Sequence, residues 1–258
     1  MIKIFPIDAF SDNYIWCLYD DLSNSALVVD PGEAAPVQAA LAERGLVLDS
    51  ILITHHHFDH TGGIETLLTA SEQAIAVYGP ATIKHINHPL KEGDSADVLG
   101  LHFEVLAIPG HTLDHIAFYC AGGAIEPLVF CGDTLFAGGC GRVFEGTGAM
   151  MAGSLAKLAA LPAATAVYCA HEYTLANLAF ARAVEPDNSP LRDRLRSEQQ
   201  KRQRDEPTVP STIGLELATN PFLRCQQQAV IAAAQSQTRV AANDVAVFSA
   251  IRSWKDNF

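Results

Sequence analysis

The segment Ile51–Gly63, ILITHHHFDHTGG, places four histidines and one aspartate within six residues, directly behind an apolar run. The run predicts a strand over 50–53. His55 and His57 stand two apart, so an extended segment points them to the same side. The pattern recurs along the chain: FEVLAIPG leads into His111, PLVFCG into Asp133 and AVYCA into His171. Four apolar strands that each deliver a His or Asp at the same end predict a site along the strand ends of a sheet. The donors are then His55, His57, Asp59, His60, His111, Asp133 and His171. One tetrahedral zinc takes about three or four ligands, so this set suits two ions sharing a bridging carboxylate, about 3.5–4 Å apart. Nitrogen and oxygen donors without thiolate accept zinc first, and also iron or manganese. His56, flanked by ligands, is expected to point away from them. His85, His88, His102 and His115 are expected at the surface or behind the ligands.

Residues 1–170 read as short β-branched runs between Gly, Pro and Asp, with strands expected at 3–6, 13–18, 26–29, 50–53, 74–77, 103–108, 116–119, 128–130 and 166–169. Helical patterns lie between them, including AAPVQAALAERG, with Gly45 as its C-cap, GGIETLLTA and GAMMAGSLAKLAAL. Beyond His171 the segments NLAFARAVEP, SPLRDRLRSEQQKRQRDE, QQQAVIAAAQS and DVAVFSAIRSWK are all helical in pattern. Ser189 followed by Pro190 reads as an N-cap and first helical residue. The expectation is an α/β catalytic domain over 1–172 and a helical domain over 173–258.

The formal net charge of −12 argues against nucleic acid as a partner. That charge is uneven: residues 1–170 carry 6 Lys/Arg against 19 Asp/Glu, and residues 171–258 carry 11 against 10. The tail thus has cations that the first part lacks. Neither a secretory signal nor a membrane-length apolar run is read, and the six scattered cysteines suit reduced core thiols. A cytoplasmic, membrane-free monomer is expected.

THHHFDH, with GHT at 110–112, GDTLF at 132–136 and AHEYT at 170–174, resembles the signature of the metallo-β-lactamase superfamily. The resemblance implies a four-layer αββα sandwich with a binuclear metal site. His55, His57 and His111 would hold one ion, Asp59, His60 and His171 the other, and Asp133 would bridge them. SDNYIW, VVDPG, GCGRVFEG, HEYTLANLAFARAVEP and the ending IRSWKDNF resemble the glyoxalase II (hydroxyacylglutathione hydrolase) branch over nearly the whole chain. That likeness implies that Arg142, Phe144, Tyr173, Arg252 and Lys255 bind glutathione, with Cys140 and Gly141 in the same loop. Arg142 stands where many members have lysine, and Phe144 where some have tyrosine, so one hydroxyl contact is absent.

The implied activity is hydrolysis of S-D-lactoylglutathione and related S-2-hydroxyacylglutathiones to glutathione and the hydroxy acid. This would be the second step of methylglyoxal detoxification, carried out by a binuclear-metal-bound hydroxide with Asp59 and Asp133 as the catalytic carboxylates. Glutathione is anionic, and the tail with the Arg142 loop supplies the cations to receive it. A one-iron glutathione persulfide dioxygenase would not need all of Asp59, His60 and His171. A secreted β-lactamase would need a leader, a nuclease of this superfamily a basic surface, and a non-catalytic relative would be expected to have lost ligands.

Overall fold

The computed structural model describes residues 1–258, which form two compact units. The first comprises Met1–Ala107 and Asp114–Gly132. Its opening strands β1 (Ile2–Ala9), β2 (Asn13–Asp20) and β3 (Ser25–Val29) form an antiparallel meander. Helix α1 (Ala34–Arg44) then crosses over to β4 (Val47–Leu52), which pairs parallel with β3. The helix stops at Gly45, whose φ of 64° lets its N–H reach back to Ala42 and Leu41. After α2 (Phe58–Thr61) and α3 (Ile64–Ala70), β5 (Ala76–Gly79) and β6 (His88–Pro89) extend the sheet in parallel. The central parallel strands are apolar on both faces: Leu27, Val28, Ile51, Leu52 and Val77 are fully buried. A second, antiparallel meander runs through β7 (Ser95–Val98), β8 (Leu101–Ala107), β9 (Ile116–Cys120) and β10 (Leu128–Gly132).

The second unit comprises Ile108–Leu113 and Asp133–Phe258. It begins with a tight hairpin, β11 (Leu135–Phe136) and β12 (Gly139–Cys140), followed by α4 (Gly148–Ala159) and β13 (Ala166–Cys169). The rest is helical: α5 (Thr174–Val184), α6 (Ser189–Arg202), α7 (Ile213–Thr219), α8 (Gln228–Gln237) and α9 (Asp244–Asp256). A two-residue strand, β14 (Ser211–Thr212), pairs with β13, and a 3-10 turn spans Pro221–Leu223. Leu178, Ala181 and Leu191 join α5 to α6, while Phe180 stacks on Phe222 and meets Trp254 and Phe258 edge-on. No helix is long and apolar enough to cross a membrane.

The expected strands are present, most with longer bounds, and the 74–77 strand falls at 76–79. The sequence reading overlooked the two-residue strands and β7, because so few residues leave no measurable alternation. It also overlooked α2 and α7, which are too short to show a helical period. The expected chain boundary at 172/173 is not where the compact units divide. Residues 133–171 group with the helices, because α4 packs on α9 and the 3-10 turn, and β12 on α5.

One local expectation changes outright. Ser189 is the first residue of α6, and the cap is Asn188, whose side chain accepts from Leu191 N–H at 3.1 Å. Its Nδ2 also donates to the Ala218 carbonyl at 3.1 Å. Asn188→Ala is therefore expected to cost about 1–2 kcal/mol. Ser189→Ala is expected to cost a few tenths at most, as for surface substitutions away from such features. Urea unfolding of both variants checks this, and equal losses would restore Ser189 as the cap.

Candidate metal centre and substrate cleft

Four expected ligands lie in the first unit, on the segment leaving β4. Thr54, His55 and His60 are fully buried. The backbone N–H of Thr54 donates to Asp30 Oδ1 and its hydroxyl to Asp30 Oδ2, both at 2.7 Å. With its proton so committed, Thr54 Oγ1 can only accept from His55 Nδ1, 3.0 Å away. His60 Nδ1 lies 3.0 Å from the other face of this arrangement, Asp30 Oδ2. The His55 imidazole thus carries its proton on Nδ1 and presents the Nε2 lone pair, the form a metal-ligating histidine needs. Asp59 Oδ2 accepts from Asn13 Nδ2 at 3.0 Å and lies 3.5 Å from His60 Nε2. The His57 ring sits 4.8 Å from that of His55.

This packing is possible only where side chains are absent. A Cβ on Gly32 would stand 2.0 Å from the Asp59 carbonyl oxygen, so the Pro31–Gly32 turn lies directly against the ligand loop. Asp30, at the head of that turn, has a φ of 53°. His56 turns away as expected, its side chain 41% exposed and its Nδ1 2.9 Å from Asp114. His115 was expected at the surface or behind the ligands, and it lies behind them. It is fully buried, stacks on His55 at 4.5 Å and 12°, and donates from Nδ1 to the Ile116 carbonyl.

The other three ligands lie in the second unit. His111 donates from Nδ1 to the Arg142 carbonyl at 2.9 Å, which again leaves Nε2 facing outward. That Nε2 is 3.4 Å from Asp133 Oδ2, and His171 Nε2 is 3.3 Å from Asp133 Oδ1. Each oxygen of one carboxylate therefore faces a different histidine. Two ligands about 2.0–2.1 Å from a tetrahedral ion stand about 3.3 Å from each other. The spacing and donor chemistry fit an ion on each side of Asp133.

All five expected glutathione residues line one cleft of about 420 Å³ with His111 and Asp133. The volume suits a small-molecule ligand. Tyr173 stacks on His171 at 4.7 Å and 4°, and Phe144 meets His111 at 5.2 Å. Arg252 is only 7% exposed. It spends Nη1 on the Cys140 carbonyl at 2.8 Å and Nη2 on Asp256 at 3.0 Å, so part of its work is to hold the 140–141 loop. Arg142 Nε lies 3.7 Å from the same Asp256 oxygen. Burial, then the charges of Arg252 and Arg142, holds the Lys255 amine below the usual lysine range. Cys140 is pushed up to about 11 by burial, which makes it a wall rather than a nucleophile.

Sequence reasoning gave no role to Asp30, Asn13 or Thr54. Asp30 lies inside VVDPG, and its clue was a carboxylate ending an apolar strand, the same clue that found Asp133. Nothing in Asn13 or Thr54 distinguishes them before folding.

The metallo-β-lactamase superfamily model matches residues 16–171, and the model of the hydroxyacylglutathione hydrolase C-terminus matches residues 172–258. The B3 metallo-β-lactamase BLEG-1 superposes with a TM-score of 0.63 at 24% identity, covering 86% of this chain and 99% of its own. TTHA1623, solved in a di-iron-bound form, gives 0.60 at 26% identity, covering 85% and 100%. Fold and site thus define a metallo-β-lactamase-fold protein with a C-terminal helical region, the α/β class expected. A hydroxyacylglutathione hydrolase of Alkalilimnicola ehrlichii is 55% identical over 99% of both chains, and one of Ectopseudomonas mendocina is 52% identical over 100% of both. The chain belongs to the hydroxyacylglutathione hydrolase family.

Asp30→Asn replaces the acceptor of the Thr54 N–H and hydroxyl, which lies 3.0 Å from His60 Nδ1. It is expected to weaken metal retention about 10–100-fold, as for other groups that orient metal-ligating histidines. Metal content after graded chelator dialysis checks this, and unchanged retention would remove Asp30 from the centre.

Proposed function

We propose that this chain hydrolyses the thioester of S-2-hydroxyacylglutathiones, with S-D-lactoylglutathione as substrate, releasing glutathione and D-lactate. The observation that carries the reading is the cleft itself. Its walls bring together His111 and Asp133, of metal-ligand type, and Arg142 and Lys255, of carboxylate-binding type. Glutathione needs both, a reaction centre for its thioester and cations for its carboxylates. The full-length relatives carry the name hydroxyacylglutathione hydrolase.

In this reading His55, His57 and His111 would hold one divalent cation and Asp59, His60 and His171 a second, with Asp133 shared between them. Zinc is proposed, and iron or manganese suits the same donors. When bound, such a pair would lower the pKa of water toward about 7 and polarise a carbonyl. Asp59, steadied by Asn13, accepts a hydrogen bond from the hydrolytic water and aims it at the thioester carbon. The glutathione thiolate, with a pKa near about 8.5, departs without a strong general acid. Arg142 and Lys255 bind the carboxylates, and Tyr173 and Phe144 flank the peptide.

The acidic body leaves these local cations as the attraction for an anionic substrate. The six cysteines, all free and buried, support a reducing setting, and a cytoplasmic monomer is proposed.

Purified protein is expected to hydrolyse S-D-lactoylglutathione with about two metals per chain, the count a binuclear site requires. Two metals without turnover would sink the substrate assignment. One metal with full turnover would sink the binuclear one. Asp133→Ala, which removes both bridging oxygens, should cost more activity and metal than any other single change. Full retention of both would refute the bridge.

Lys255 adds a pH test. Its pKa is lowered, so its charge is lost at a lower pH than an ordinary lysine's. Affinity for an anionic thiol should fall across that interval, and KM should rise. Lys255→Arg keeps the charge and should flatten this alkaline rise in KM. An identical rise in the arginine variant would acquit Lys255.

A further inference from the structure

The 135–140 hairpin supplies Phe136 and Cys140 to the cleft and ends two residues before Arg142. It has two residues per strand, too few to hold a shape unaided. Its conformation is fixed from behind by side chains of the helical region. Asn220 Nδ2 donates to the carbonyls of Gly139 at 2.9 Å and Phe136 at 3.3 Å. Asn177 Nδ2 donates to the Ala137 carbonyl at 3.3 Å. At the turn, Gly138 has a φ of 71° and donates its N–H to Glu216 Oε2 at 2.8 Å.

Glu216 is the centre of this arrangement. It is fully buried on α7, and four donors converge on its carboxylate. Beside Gly138, Oε2 accepts from Asn220 Nδ2 at 2.9 Å. Oε1 accepts from Arg194 Nη2 at 2.6 Å and from the Ser211 hydroxyl. Arg194 is itself buried and further fixed by Thr219 at 2.6 Å. A buried ion pair is poor evidence for a stabilising role, since well-packed apolar side chains in its place are often as stable or more so. A carboxylate does what an apolar group does not: it accepts a backbone N–H at a left-handed turn and orients the asparagine that grips both strands.

We propose that Glu216, neutralised by Arg194, is a positioning residue that moulds the 135–141 segment and thereby sets affinity for the glutathione part of the substrate. The inference rests on the hydrolase reading for the identity of that ligand. Glu216 touches neither ligand nor metal in this scheme, so its loss should act on KM and leave the chemical step alone.

The test compares metal-loaded unaltered protein with Glu216→Gln, Asn220→Ser and, as a destabilising control, Val230→Ala, a buried site on α8. Affinity is read from KM and, independently of turnover, by calorimetric titration with glutathione. The shape of the hairpin is read by hydrogen exchange of amides 136–141. Loss of charged hydrogen bonds in Glu216→Gln should raise KM and the glutathione Kd about tenfold, with kcat within about threefold. Exchange in the hairpin should quicken by at least about tenfold, and metal content should stay unchanged. Asn220→Ser keeps a capping oxygen but loses both hairpin donors. It should reproduce the effect, and carries the comparison alone if Glu216→Gln does not fold. The double variant Arg194→Met, Glu216→Gln removes the buried charges yet keeps an acceptor for Gly138, and should recover most of the affinity. A kcat loss at constant KM, unaltered exchange, or an equal KM shift in Val230→Ala would overturn the proposal. Failure of unaltered protein to hydrolyse the thioester would remove the hydrolase reading, and the titration and exchange arms would still decide the role of Glu216.

Discussion

The carboxylate of Asp30 is the group on which the first unit's cluster of His and Asp side chains depends. Its two oxygens receive a backbone N–H and a hydroxyl, and His60 Nδ1 lies 3.0 Å away. Each bond is short and buried, so each is worth more than it would be in water. The consequence is one of tautomers. Thr54 can accept from His55 only because Asp30 takes its proton. A buried aspartate at the end of one parallel strand thus sets the tautomer of a histidine at the end of the next. The pairing of β3 with β4 brings them together, since Val29 lies opposite Leu52 and the Asp30 N–H bonds to the Leu52 carbonyl.

The second unit solves the same problem with backbone. His111 gives its Nδ1 proton to the Arg142 carbonyl, and the N–H groups of Phe144 and Glu145 return to the His111 carbonyl. His111 and the 142–145 loop are therefore one hydrogen-bonded body. Gly141 closes it: a Cβ there would stand 1.9 Å from the Asp133 carbonyl oxygen, so only glycine allows the loop to lie on the carboxylate-bearing segment. Arg252 then ties the loop to α9. Substitutions on this last helix can reach the centre through two hydrogen bonds, without touching it.

The proposed ligands were legible because they follow apolar runs, and a strand end is a position that sequence can mark. His55, His57, Asp59 and His60 were visible by density alone, and His111, Asp133 and His171 by repetition of that context. The outer layer was not legible. Asn13 reaches Asp59 across 46 residues of chain, and Arg194 reaches Glu216 across 22, distances over which no periodicity operates. The resemblance of GCGRVFEG and IRSWKDNF identified which cations to examine, and could not say that Arg252 would turn most of its donors inward. Likewise Asn188 and Ser189 are both good capping residues, and only the fold decides between them.

The cleft gathers Arg142, Arg252 and Lys255 in an otherwise acidic chain. A chain of net −12 repels an anionic thiol at long range, and salt confines that repulsion to about a Debye length. Arg142, Arg252 and Lys255 line the same cleft, where burial first and then the charges of the two arginines hold the Lys255 amine below the usual lysine range. Asp256 relieves part of that cost by sharing one oxygen between the two arginines. An arriving carboxylate would relieve more. Arg252 is buried on α9 together with Val247, Phe248 and Ile251, and Lys255 stands one turn beyond Ile251, so these side chains share one face of the helix. In the proposed reading, affinity for an anion and stability of α9 are coupled, because the same packing that orders the helix brings its cations to the cleft.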